Sequence, residues 1–133
     1  MTQEEKELLL KDLCARLPYN PLVEYKGESY NVLGIAHERL VLCKPFMSYT
    51  LKENPLVEEV KPYLFPLSRI CDNEELGKEF DGLIELELKA ISDEIAPTQV
   101  TEFEVDFYNK HHLDWRGLIP MGLAIDCTNL NIY

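Results

Sequence analysis

Hydrophobic positions at helical spacing open the chain. Leu9, Leu10, Leu13, Cys14 and Leu17 fall at i, i+1, i+4, i+5 and i+8, one stripe of a helix over residues 3–17. Thr2 with Glu5 three residues on is a capping box at its start, and Pro18 and Pro21 stop it. The period then changes. Val23 and Tyr25 alternate with charge, and Lys26-Gly27-Glu28-Ser29 supplies a turn. Tyr30 to Ala36 is largely apolar, His37-Glu38 is a second turn, and Arg39 to Cys43 is another apolar run. Residues 22–43 thus predict three short strands in an antiparallel meander, one face of which the first helix covers.

Pro45, Pro55, Pro62 and Pro66 exclude a long helix from the next stretch. Pro55 to Val60 suits a short helix with Pro55 in its first turn. Val60 to Ile70 reads as extended, with Tyr63, Leu64, Phe65 and Leu67 packed on the core. Asp72-Asn73-Glu74-Glu75 starts a second helix with a capping-box pattern. Its apolar positions Leu76, Phe80, Leu83, Ile84, Leu88 and Ile91 repeat at helical spacing, although Leu83 to Leu88 also alternates as a strand would. After Ala96-Pro97, Thr98 or Thr101 caps a third helix whose inward stripe is Val100, Phe103, Phe107, Tyr108 and His111. Met121, Leu123, Ile125 and Cys127 alternate with small or polar residues and predict a final strand. The expected class is α+β, a single domain over residues 1–133. It consists of a small antiparallel sheet, the three-strand meander plus a C-terminal strand, against about three helices.

Composition supports a folded domain: 46% hydrophobic and 10% aromatic residues are too many for intrinsic disorder. The charge is unevenly spread. The formal net charge is −11. Residues 1–71 carry −1, residues 107–133 carry 0, and residues 72–106 carry −10. An acidic chain repels phosphates, so direct nucleic-acid binding is not expected. The acidic stretch is either a solvated helix face or a dock for a basic partner, with Glu79, Asp81, Glu85, Glu87 and Asp93 as candidate partner-binding residues. No segment has the ~18 consecutive apolar residues of a membrane helix. The acidic start Met1-Thr2-Gln3-Glu4-Glu5 does not resemble an export signal, so a cytoplasmic location is expected. Cys14, Cys43, Cys71 and Cys127 are then expected as reduced and mostly buried thiols.

Candidate chemistry concentrates in Asn109-Lys110-His111-His112-Leu113-Asp114-Trp115-Arg116-Gly117. Histidine is the side chain suited to proton transfer near neutrality, and Asp114 could orient His112. Neighbouring helical side chains diverge by about 100°, so His111 and His112 do not share one ligand unless the helix ends there. The same residues also suit structural roles: His111 packed in the stripe, Asp114 and Arg116 fixing the turn, Gly117 at positive φ. Lys61, Tyr63, Trp115 and Arg116 are the basic and aromatic residues suited to an anionic ligand, with His112 and Asp114 beside them in sequence. The histidines and cysteines are too dispersed to predict a metal site, and no cofactor motif is present.

Two segments carry a resemblance. Lys61-Pro62-Tyr63-Leu64-Phe65-Pro66-Leu67-Ser68 before an acidic helix start is the first. Asp106-Phe107-Tyr108-Asn109-Lys110-His111-His112-Leu113-Asp114-Trp115-Arg116-Gly117-Leu118-Ile119, followed by Gly122-Leu123-Ala124-Ile125-Asp126, is the second. Together, over residues 59–75 and 100–128, they resemble small uncharacterised proteins of phages, prophages and mobile elements of Bacteroides-type bacteria. The resemblance implies an accessory protein in the host cytoplasm but assigns no catalytic residue or ligand. The expected function is non-enzymatic binding, either of a host or phage protein or of a small nucleotide-like defence signal. The alternatives are a phage structural or homo-oligomeric component and a small hydrolase using His112 and Asp114.

Overall fold

The computed structural model describes residues 1–44, 52–92 and 102–133, with side chains for all of these except 52, 85–92, 102 and 103. Helix α1 (Gln3–Arg16) starts on the expected capping box: the Glu5 amide donates to Thr2 Oγ1, and the Thr2 amide donates to Glu5 Oε1. Strands β1 (Leu22–Tyr25), β2 (Glu28–Ala36) and β3 (Arg39–Cys43) form the predicted meander. Its turns place both central residues at positive φ, Lys26 and Gly27 in one and His37 and Glu38 in the other. That is the two-residue geometry whose twist matches the flanking strands. The β2–β3 register slips between Val32 and Gly34, and the exposed Leu33 lies at that irregularity.

The sheet is mixed rather than purely antiparallel. Short β4 (Lys52–Glu53) edges β3, and a 3₁₀ turn at Val57–Glu59 stands where a short helix was expected. The extended segment becomes β5 (Lys61–Pro66), antiparallel to β1 but parallel to β6 (Leu113–Asp114) and β7 (Ile125–Asp126). The strand order is β4-β3-β2-β1-β5-β6, with β7 also paired to β5. Pro62, Tyr63, Leu64 and Phe65 are all buried, as in a strand covered on both faces. Leu64 joins Leu9 and Leu13 of α1, Val23, Leu40, Leu42 and Leu118 in one core. Tyr63 and Phe65 face a second core with Leu76, Phe107, Leu113 and Cys127. That second core lies under α3 (Glu74–Ser92) and α4 (Glu102–Lys110), which a single turn α2 (Arg69–Asp72) precedes.

Several expectations change. Residues 83–88 are helical, since the helical stripe outweighs the short alternation. The α3 cap is Asn73, whose Oδ1 accepts the Leu76 amide at 3.1 Å, because α2 already occupies Asp72. The final strand contracts to β7: Gly122 at positive φ, with the Leu123 amide bonded to the Leu118 carbonyl, wraps the chain into turns. Only Cys43 and Cys127 are buried; Cys14 and Cys71 are exposed. Cys14 leaves the α1 stripe, and Asp12 and Arg16 join it. Thr98, Val100 and Thr101 lie outside the described residues. Among the described residues no helix is long and apolar enough to cross a membrane.

Candidate functional site

The end of α4 builds the site. The His112 amide reaches back to the Asn109 carbonyl, and His112 takes the left-handed conformation at φ 57°. The helix ends there, the Phe65 amide takes the His112 carbonyl at 2.8 Å, and the chain enters β6. His111 and His112 therefore diverge. His111 Nε2 lies 3.1 Å from the Glu79 carboxylate across on α3, with its ring 4.7 Å from that of Phe107. It is half-buried rather than a core residue. The His112 ring lies flat on Tyr133, 3.6 Å between centroids.

Between these rings and α3 lies a cleft of about 290 Å³. Phe65 and Arg69 form one wall, Asn73, Leu76 and Glu79 the next, and Lys110, His111, His112 and Tyr133 close it, with Glu75 also lining it. The Arg69 guanidinium sits 3.7 Å over the Phe65 ring. Such stacking leaves the edge of the guanidinium, which carries its N–H donors, free for other partners. Lys110 Nζ lies 3.7 Å from Glu79. The hydrogen bond from His111, with the Lys110 and His111 charges, holds the Glu79 carboxyl below its ordinary value. Burial, with the Arg16 and His111 charges, pushes His112 down to about 4, so its ring is neutral at physiological pH. A second cleft of about 250 Å³, between Pro66, Ser68, Asp72 and Thr128, also opens on Arg69 and Asn73.

Comparison with family models, curated proteins and solved structures finds no match to this chain. The site is therefore read from its geometry alone.

That geometry redistributes the residues singled out in the sequence. Of Lys61, Tyr63, His112, Asp114, Trp115 and Arg116, only His112 lines the cleft. Lys61 is exposed at the start of β5, and Tyr63 is buried with its hydroxyl on Ser29. Asp114 is buried and accepts the Leu118 and Ile119 amides, each at 2.8 Å, so it anchors the following turn. Trp115 donates to Asn109, and Arg116 lies over its ring at 4.0 Å while bonding Asp12. Among the acids, Glu79 is engaged by His111 and Lys110, and Asp81 is exposed. The side chains of Glu85 and Glu87, and all of Asp93, lie outside the described residues.

Sequence reasoning passed over Arg69, Arg16 and Tyr133. Arg69 is the last base before the acidic stretch, which was a usable signal. Arg16 follows Asp12 by four residues, the spacing of a helical ion pair. Tyr133 carried no signal. Its hydroxyl accepts the Leu22 amide at 2.8 Å and donates to the Tyr63 carbonyl at 3.3 Å. Burial raises its pKa above the ordinary tyrosine value. Among the described residues, no three potential metal ligands converge.

Proposed function

We propose that the chain is a non-enzymatic binding protein, an accessory of a phage or mobile element in the host cytoplasm, whose cleft takes a small anionic ligand of nucleotide type. Arg69 carries this reading: a half-buried guanidinium held on Phe65, with no carboxylate at ion-pair distance among the described residues. Lys110 supplies a second cation and His111 and His112 supply ring nitrogens, while Phe65 and Tyr133 supply apolar surface. In the cleft lining Arg69 and Lys110 balance Glu75 and Glu79, so the cleft does not share the net negative charge of the −11 chain. A hydrolase built on His112 and Asp114 has less support, because both Asp114 oxygens are occupied by backbone amides.

Thermal-shift titration with inorganic phosphate, nucleoside monophosphates and cyclic dinucleotides tests the proposal. A ligand at 100 times its Kd adds ~2.7 kcal/mol, a shift of several degrees for a chain of this size. Arg69→Ala should abolish that shift. No shift across the panel, or an undiminished shift in Arg69→Ala, rejects the reading.

A second reading is a basic protein partner on the acidic stretch, favoured by the exposure of Glu75 and Asp81 on α3. It predicts that reversing Glu79, Asp81, Glu85, Glu87 and Asp93 abolishes partner capture from host lysate. Light scattering separates both readings from a homo-oligomeric phage component.

A further inference from the structure

Two buried polar atoms lack a partner among the described residues, one on Arg16 and one on the cleft-lining His112. Arg16 is fully buried, and its guanidinium is fixed on two sides. Nε donates to Asp12 Oδ2 at 2.8 Å, and Nη2 donates to Asp12 Oδ1 at 3.1 Å and to the Leu113 carbonyl at 2.7 Å. The remaining nitrogen, Nη1, is buried without a partner among the described residues. Next along the chain from Leu113 is His112, and its Nδ1 is likewise buried without a partner.

We propose that Arg16 Nη1 and His112 Nδ1 share a buried water, and that this bridge holds His112 as the neutral Nε2–H tautomer, a hydrogen-bond donor facing the cleft. A guanidinium nitrogen can only donate. A neutral imidazole has one donating and one accepting nitrogen, and Nδ1, the one buried without a partner, is served by accepting from a water that the Arg16 donor holds. A water accepting from Nη1 and donating to Nδ1 satisfies both atoms, the usual task of a buried water. The proton then belongs on Nε2, the ring nitrogen left for the cleft that His112 lines. Tyr133, flat on the imidazole at an interplanar angle of 12°, keeps the ring from swinging away. The neutral state agrees with the depressed pKa of His112, to which both burial and the Arg16 charge contribute. Arg16 is thus a positioning residue, and it acts on a ligand only through His112.

The donor role rests on the anion-binding reading, whereas the tautomer and the water do not. The test is nitrogen NMR of the full chain, ¹⁵N-labelled at histidine, at neutral pH, with His112 assigned by its disappearance in His112→Gln. The expected spectrum shows Nδ1 unprotonated and Nε2 protonated, with a long-lived water cross-peak to Hε1. A protonated Nδ1 overturns the proposal, and Nε2–H without the cross-peak overturns the water. Arg16→Lys keeps the charge near Asp12 but removes Nη1, and should mix the tautomers. An unchanged tautomer in folded Arg16→Lys also overturns the proposal; if that variant does not fold, the wild-type spectrum decides. Inorganic phosphate is then titrated in and should move the Nε2 resonance. A correct tautomer with no response rejects the anion-binding reading while leaving the bridge standing.

Discussion

Asp12 is the carboxylate on which two guanidiniums converge: Arg16 four residues on, and Arg116 at 3.2 Å from a loop 104 residues away. A buried charge left without its partner is expensive, so Asp12→Ala should lower unfolding free energy by about 3–5 kcal/mol in urea titration. Replacing Asp12 and Arg16 together by Leu and Met should cost less than Asp12→Ala alone, because only Arg116, the more exposed of the two guanidiniums, is then left without its carboxylate. His112 contributes a pH dependence. Folded, its pKa is about 4, against 6.5 for the free imidazole. Between those values the unfolded chain binds the extra proton, so stability is full at neutral pH and falls as pH drops. The loss should reach about 2 kcal/mol after discounting for partial exposure. Glu79, held below the ordinary glutamate value, adds its own loss only at still lower pH. Urea midpoints at neutral pH and at pH ~4.5, compared between wild type and His112→Gln, should show the slope flattened in the variant. At this scale the sequence displayed the stripe Leu9, Leu10, Leu13, Cys14 and Leu17, of which Leu9 and Leu13 are buried. It could not display that an acid and a base belong inside, because their burial depends on Leu113 and Arg116 arriving from far along the chain.

Element boundaries follow local chemistry where local contacts suffice. The capping box of α1 and the two hairpin turns of the meander were legible because every partner lies within a few residues. The start of α3 was legible to within one residue: Asn73 rather than Asp72 bonds the first turn. Asn73→Ala should therefore destabilise by ~1 kcal/mol, whereas Asp72→Ala should stay within about 0.5 kcal/mol of wild type. The α3 glycines separate the same way. A Cβ on Gly82 meets nothing within 4 Å, so Gly82→Ala should stabilise by about 0.5–1 kcal/mol. A Cβ on Gly77 would lie 3.2 Å from the Ile70 carbonyl, where the chain folds from α2 into α3. Gly77→Ala should bring no such gain, and parallel thermal melts of the two variants check the contrast.

Both cores of the molecule share β5: Leu64 packs with α1 and the meander, while Tyr63 and Phe65 pack under α3 and α4. Leu64→Ala should cost about 2–5 kcal/mol. Far-UV circular dichroism and Trp115 fluorescence should still report one coincident urea transition, because loosening either core loosens the strand they share. Separate transitions would show that the two cores unfold independently. The sequence by itself determined the α+β class, the first helix with its cap, the meander and the segregation of charge, while it left residues 83–88 open between helix and strand. These follow from periodicity, turn chemistry and residue counts, all of which act over short stretches of chain. Only the tertiary structure decided that β5 has parallel neighbours, that Asp12 and Arg16 lie inside, and that Arg69 shares a cleft with His112 in place of Lys61, Tyr63, Trp115 and Arg116. Each of those outcomes requires groups tens of residues apart to meet. Such meetings are set by how the sheet closes and what it buries, and no local pattern encodes them.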